Sequence, residues 1–342
     1  MNHNFKLPDS WISIRTIDAH TEGEPLRIIY EGFPELKGDT ILEKRQYCMT
    51  NFDHIRKALM WEPRGHADMY GAIITSPERE NSDFGVLFTH NEGYSTMCGH
   101  GILGLTKVLL QSGMIKKVSP KTELNIDTPA GLVRSWGLIQ DDKIIKTYFD
   151  NVSSYVEALD VTVEIPSLGK INYDLAFGGA YYAFVNVEQL GIDLVPDNYL
   201  QLIETGMAIK KGVMESRELS HPFSPDLNFL YGTIFTGPAK NPDNHSRNVC
   251  IFAEGEVDRS PTGTGVSARA AIHYARGEIA LNQPITIESI LGSTFQVTAV
   301  SKTTFGSYSA VVPRVQGNAH ITGMHEFVID PDDPLREGFI LR

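Results

Sequence analysis

The chain has 342 residues, of which 42% are hydrophobic and 21% charged, and its formal net charge is −12. This length is sufficient for two domains, and the composition is typical of a soluble globular protein with a substantial core. The acidic balance argues against nucleic acid and against an anionic membrane surface as partners, because both require a basic surface. A small anionic ligand can still be held by local donors.

The predicted elements are mostly short strands with a few helices. In chain order, the pattern predicts a hairpin from residues 14–20 and 26–32, a helix over 43–61, strands at 71–77 and 85–93, and a hairpin over 122–137. The predicted helix places Ile55, Leu59 and Met60 on one side.

Three cysteines, Cys48, Cys98 and Cys250, show neither a disulfide framework nor zinc-site spacing. Free thiols indicate a reducing compartment. The N-terminal segment has no basic region followed by an apolar run, and no apolar run approaches the ~18 residues of a membrane span. We therefore expect a cytoplasmic protein, with no signal peptide and no membrane partner.

A weak internal repeat is the most informative feature. Residues 97–113 and 260–277 each form a Gly-rich turn followed by an amphipathic helix that ends at a glycine, with Cys98 and Thr262 in matching positions 164 residues apart. Strand patterns near 122 and 147 recur near 286 and 310. The repeat predicts two similar α/β halves folded against each other, 1–165 and 166–342, with a C-terminal tail that can pack back on the first half.

The two Gly-rich turns predict one anion-binding cleft. Glycines allow close backbone approach, and the first N–H groups of each helix have no helical partner, so two facing helix starts can hold a carboxylate. They would also stabilise the charge that forms when an α-carbon loses its proton. Gly99, His100, Gly263 and Thr264 would supply the donors. The alternative is that both turns are ordinary helix entries.

Cys98 opens the first of these helices, a position that is expected to lower the pKa of a thiol. A thiolate beside a substrate α-hydrogen is a candidate general base. The alternative is that Cys98 is only a small buried hydrophobic residue. We expect Cys48 and Cys250 to be residues of that kind. Asp258 could pair with a substrate ammonium group or only form a local turn with Arg259.

Two acidic and histidine clusters could suggest a metal: His66 with Asp68, and His20 with Glu22 and Glu24. Neither has an H-E-x-x-H or H-x-x-E-H spacing, so surface or turn roles are favoured. The strings GHGILG and GTGVSA are not dinucleotide fingerprints, and no G-x-S-x-G nucleophile motif is present. We expect neither a metal nor a cofactor.

Four segments in this order and spacing, DAHTEGEPLR, RGHADMYGA, MCGHG and DRSPTGTG, resemble the proline racemase family from about Ile14 to Gly323. The resemblance implies a diaminopimelate-epimerase-like α/β fold, with two pseudo-symmetric halves, each a mixed or antiparallel sheet around a central helix, and the site between them. It implies that Cys98 is a catalytic thiol, and that Asp258 holds the substrate nitrogen. It also implies that the substrate carboxylate is bound by the four residues of the two turns: Gly99, His100, Gly263 and Thr264.

The second turn departs from the racemase pattern, because Thr262 stands where racemases and epimerases of the family have a second cysteine. Inversion needs a proton acceptor on one face of the α-carbon and a donor on the other, and a threonine hydroxyl is too weak an acid and base for either. One-sided proton abstraction becomes productive when the β-carbon carries a leaving group. The resemblance therefore implies a trans-3-hydroxy-L-proline dehydratase that acts on a small hydroxylated proline.

Two alternatives stay open. Thr262 could permit slow epimerisation of 4-hydroxyproline or proline with water as the second acid, or the chain could be a binding protein without turnover. Retention of a cysteine at position 98 favours catalysis, since binding alone needs no thiolate. A homodimer is a further expectation.

Overall fold

The computed structural model describes residues 8–341. The helices of this range are α1 (Ile41–Asn51), α2 (Asp53–Met60), α3 (Gly99–Gln111), α4 (Tyr199–Ser216) and α5 (Gly263–Ala275). The first nine strands are β1 (Ile12–Thr21), β2 (Glu24–Glu31), β3 (Tyr70–Thr75), β4 (Phe84–His90), β5 (Tyr94–Ser95), β6 (Lys121–Thr128), β7 (Gly131–Gln140), β8 (Lys143–Asp150) and β9 (Ser154–Ile165). The other nine are β10 (Gly169–Phe177), β11 (Tyr181–Asn186), β12 (Leu230–Gly237), β13 (Ser246–Phe252), β14 (Glu256–Val257), β15 (Pro284–Glu288), β16 (Thr294–Phe305), β17 (Tyr308–Gly317) and β18 (Ala319–Ile329).

Most predicted elements are confirmed. β1 and β2 form the first antiparallel hairpin, β6 and β7 form the second, and β3 and β4 lie where strands were predicted. The predicted helix over 43–61 is wrong as one element. It is two helices, because Phe52 leaves the helical region at φ −131° and ψ 14° and separates α1 from α2. Ile55, Leu59 and Met60 are buried.

The strands repeat one pairing pattern twice. β1–β2 is antiparallel, β2–β3 parallel, β3–β4 antiparallel, β4–β6 parallel, and β6–β7–β8 antiparallel. The same succession links β10 to β11, β12, β13, β15, β16 and β17. α3 and α5 both have 13 residues. The internal repeat and the predicted fold class are therefore confirmed by the structure.

Each of the two central helices is enclosed by strands of its own repeat and by the last strand of the other repeat. α3 packs against β1, β7, β8 and β18, whereas α5 packs against β9, β10, β16 and β17. Apolar residues lie on every side of α3, as expected for a helix enclosed by a sheet: its buried members are Ile102, Leu103, Leu105, Val108, Leu109 and Leu110. Each such side chain contributes about 1.5–3 kcal/mol through burial, so the start of α3 is held by a rigid core.

The last strand of each repeat lies beside the other half. β18 pairs antiparallel with β1, and β9, which ends at residue 165, pairs antiparallel with β10. β17 pairs with both β8 and β9, which joins the two sheets. The division into 1–165 and 166–342 stays a prediction. No helix within residues 8–341 combines the length and apolarity needed to cross a membrane.

Candidate active site

The starts of α3 and α5 abut at Gly99 and Gly263. A Cβ atom added to Gly99 would lie 2.5 Å from Cα of Gly263, and one added to Gly263 would lie 2.6 Å from Cα of Gly99. Only glycine permits this backbone contact. The structure thus brings the two predicted Gly-rich turns together, with both helix dipoles directed at one place.

Cys98 is the N-cap residue of α3, and its side chain is 4% exposed. Sγ accepts a hydrogen bond from the Gly101 N–H at 3.2 Å, while the Ile102 N–H bonds to the Cys98 carbonyl at 3.0 Å. Gly99 and His100 therefore carry the remaining first-turn N–H groups, which have no partner within the helix. These two N–H groups are suited to an anionic oxygen.

The predicted direction of the Cys98 pKa is wrong. Burial raises the pKa of the thiol well above its ordinary value, and the nearby Asp258 and Glu24 carboxyl groups act in the same direction. The Gly101 N–H and the Tyr70 hydroxyl lower the pKa but do not outweigh burial. The sequence showed the helix start that favours a thiolate, whereas the enclosure that disfavours it depends on distant segments.

His100 lies against the thiol. Its Nδ1 is 3.2 Å from Cys98 Sγ, and its backbone carbonyl accepts a hydrogen bond from Thr21 Oγ1 at 2.9 Å. Burial lowers the pKa of the imidazole to about 4, so the ring is neutral near pH 7. A neutral imidazole can orient the thiol and exchange a proton with it without placing a second full charge in the cavity.

Thr262 precedes α5 in a left-handed conformation with φ +67°, an uncommon region for a β-branched residue. Its Oγ1 is buried and has no hydrogen-bond partner of normal geometry within residues 8–341. Cys250, predicted as core, is fully buried in β13. It also lines a small cavity at the two helix starts, which Cys98 and Thr262 line as well. The Thr264 hydroxyl is held by the Tyr182 hydroxyl at 2.6 Å.

Asp258 also lines this cavity, and its Oδ1 accepts a hydrogen bond from the Ser260 N–H at 2.7 Å. The next residue, Arg259, joins the halves: its guanidinium contacts Asp68 at 2.7 Å, and its N–H donates to Glu24 Oε2 at 2.6 Å. Burial and the neighbouring Asp258 raise the pKa of Glu24 well above its ordinary value. Through its hydrogen bond from the Arg259 N–H, Glu24 anchors the segment that carries Asp258.

The cavity has a volume of about 20 Å³, room for about one water, so a ring-sized ligand requires its walls to move outward. Its lining includes all seven predicted site residues. Sequence reasoning missed the aromatic wall: Tyr70, Tyr182, Tyr231 and Phe252. Tyr70 stands in the RGHADMYGA motif, which was a usable signal. The other three lie in unremarkable strands.

The candidate metal ligands make other contacts. Asp68 and Glu24 bond to Arg259, and Glu22 accepts a hydrogen bond from the Asn318 N–H at 2.8 Å. Across residues 8–341, no group of three or more His, Cys, Asp or Glu side chains is arranged to hold a metal ion.

Residues 16–340 match the family described as Proline racemase, and the chain belongs to this family. It is 48% identical over 334 residues to the trans-3-hydroxy-L-proline dehydratase of Colwellia psychrerythraea, covering 98% of this chain and 94% of that protein. It is 43% identical to the human protein of the same name, covering 96% of this chain and 95% of the human one.

A solved structure of a hydroxyproline epimerase from Agrobacterium vitis with bound trans-4-hydroxy-L-proline superposes with a TM-score of 0.90. Its sequence is 32% identical, and the match covers 96% of each chain. The family and the pseudo-symmetric fold predicted from the four sequence motifs are confirmed.

Proposed function

We propose that this protein is a cofactor-independent trans-3-hydroxy-L-proline dehydratase. The observation that carries the proposal is the asymmetry of the two turns: a cysteine stands at the start of α3, and a threonine stands at the equivalent position before α5. The relatives named trans-3-hydroxy-L-proline dehydratase support the same activity.

In the proposed complex, the substrate carboxylate accepts hydrogen bonds from the N–H groups of Gly99, His100, Gly263 and Thr264. Asp258 holds the ring nitrogen. Charge that develops on the carboxylate when Cα loses its proton is stabilised by both helix starts, whose dipoles are directed at the same place.

Cys98 acts as the general base in this proposal. In trans-3-hydroxy-L-proline the α-hydrogen and the 3-hydroxyl lie on the ring face opposite the carboxylate, so the elimination is syn. Cys98 removes the α-proton, the 3-hydroxyl leaves as water, and the enamine Δ2-pyrroline-2-carboxylate tautomerises to Δ1-pyrroline-2-carboxylate. Thr262 supplies no working acid on the opposite face, so inversion is disfavoured.

The test is incubation with trans-3-hydroxy-L-proline in D2O without added cofactor, followed by NMR. Loss of substrate with appearance of a pyrroline carboxylate is expected. Exchange of the α-proton without loss of the hydroxyl would mean that Cys98 works on a different substrate, and a D-epimer among the products would favour epimerisation.

Cys98→Ser is the matched variant. Binding without turnover is expected, because a serine hydroxyl is too weak an acid to supply the base. A wild-type protein that binds but never turns over would favour the binding-protein alternative. The cytoplasmic location and the homodimer stay predictions.

A further inference from the structure

Three hydroxyl groups form a chain at one side of the cavity. The Tyr70 hydroxyl donates to Ser95 Oγ at 2.5 Å, and Ser95 Oγ lies 2.7 Å from the Tyr231 hydroxyl. Tyr70 begins β3, Ser95 ends β5, and Tyr231 lies in β12, so the chain crosses from one half to the other. Tyr70 and Tyr231 both line the cavity that contains Cys98.

Tyr70 lies on the Cys98 side of the site. Its ring meets the His100 ring edge to face, with centroids 4.6 Å apart, and His100 Nδ1 is 3.2 Å from Cys98 Sγ. The Tyr70 hydroxyl and the Cys98 thiol also interact directly, since the Tyr70 hydroxyl lowers the pKa of the thiol. A syn elimination places the base and the departing hydroxyl on the same face of the ring. The group beside the base is therefore well placed to reach the leaving oxygen.

We propose that the Tyr70 hydroxyl is the general acid that protonates the departing 3-hydroxyl, with Ser95 and Tyr231 as positioning residues. This inference rests on the proposed dehydratase function. It assigns the leaving-group proton to a residue other than the base, so base and acid are two separate groups on one face.

The proton and electron balance closes without a co-reactant. The Cys98 thiolate takes the α-proton, and the C–H electron pair forms the Cα–C3 double bond. The C3–O bond breaks with its pair on oxygen, which takes the Tyr70 proton and departs as water. The Tyr70 phenolate then takes the proton from the Cys98 thiol, which returns both groups to their starting states.

The hydroxyl chain stabilises the intermediate phenolate. When Tyr70 has given up its proton, the Ser95 hydroxyl can turn and donate to the phenolate oxygen, and Tyr231 can donate to Ser95. Hydrogen bonds to an ionised oxygen are stronger than those between neutral groups, and a linked chain strengthens them further.

The experiment compares two leaving groups in Tyr70→Phe. Trans-3-hydroxy-L-proline needs a proton on its leaving oxygen, whereas trans-3-chloro-L-proline releases chloride without one. Loss of a general acid costs about 10²–10⁴-fold, so the ratio of dehydration to chloride release should fall by at least about 10²-fold relative to wild type. Ser95→Ala keeps the Tyr70 ring and should lower the same ratio by a smaller factor.

Tyr182→Phe is the control, since it removes another buried hydroxyl from the same cavity. That hydroxyl is hydrogen-bonded to the Thr264 hydroxyl. Both reactions should slow together in that variant. An equal fall of both reactions in Tyr70→Phe, unchanged dehydration in that variant, or the same change of ratio in Tyr182→Phe would each overturn the assignment. Failure of the wild type to dehydrate 3-hydroxyproline would instead overturn the proposed function, and the inference with it.

Discussion

Gly99→Ala tests whether contact between the two helix starts sets the geometry of the site. The new methyl group would lie 2.5 Å from Cα and 2.9 Å from the carbonyl carbon of Gly263, and 3.1 Å from the Phe149 ring. The closest atoms belong to the backbone of α5, so no side-chain rotation relieves the contact.

The expected magnitude follows from these distances. Carbon atoms in contact lie about 3.5–4.0 Å apart, so the helix starts must separate by roughly 1 Å. Overpacking of this kind costs about 1–3 kcal/mol of the free energy of unfolding. A displacement of about 1 Å between catalytic groups and substrate costs on the order of 10² in rate.

The assays are kcat for dehydration and urea-induced unfolding. Gly93→Ala is the matched control, because a Cβ there meets nothing within 4 Å and the backbone is outside the left-handed region. The control should stay within about 0.5 kcal/mol of wild type. Wild-type rate and stability in Gly99→Ala would refute the argument that the two glycines are in obligatory contact.

Three further predictions concern the same site. Thr262→Cys supplies a thiol on the second face and should produce the D-epimer from L-proline, measured by chiral chromatography; a folded variant without inversion would contradict our account of the second turn. Glu24→Gln should keep dehydratase activity, because a glutamine side-chain oxygen can still accept the hydrogen bond from the Arg259 N–H. In wild type the stability contribution of Glu24 is fully present below the ordinary carboxyl pKa of 4.5 and is lost as pH rises towards the raised folded-state pKa. Unfolding measured at acidic and neutral pH should therefore show that the free energy of unfolding of Glu24→Gln increases relative to that of wild type as pH rises, by up to about 1.4 kcal/mol per pH unit. Finally, the raised pKa of Cys98 should make kcat/KM increase from neutral to alkaline pH, and a flat profile would argue against a neutral resting thiol.

Prediction from the sequence worked best where the determinants are local. Cys98 and Thr262 were matched through their positions before two similar helices, and α3 and α5 begin directly after them. It failed at residues 43–61, where helical spacing continues through Phe52 although the backbone turns there. Apolar periodicity alone does not reveal such a break, because the buried residues Cys48 of α1 and Ile55 of α2 are seven positions apart, a spacing that one continuous helix would also show.

The residues that surround the site could not be predicted from the local sequence. Tyr182 and Tyr231 look like ordinary strand aromatics in the sequence, and they reach the cavity only because β11 and β12 pair next to each other. Glu24 resembled a surface or metal-binding carboxylate, yet it is fully buried against the Arg259 N–H. These roles depend on contacts between segments that lie from 49 to 235 residues apart in the sequence.

The sequence by itself determined the duplicated plan, the family, and the cysteine–threonine asymmetry from which the chemistry follows, since these depend on residue type and spacing. Tertiary structure decided how the groups behave. It brought Gly99 against Gly263, enclosed Cys98 so that burial raises its pKa, and set Tyr70 beside it. The physical reason is that close packing and desolvation are collective properties of many distant segments, whereas turns and helix starts are encoded within a few residues.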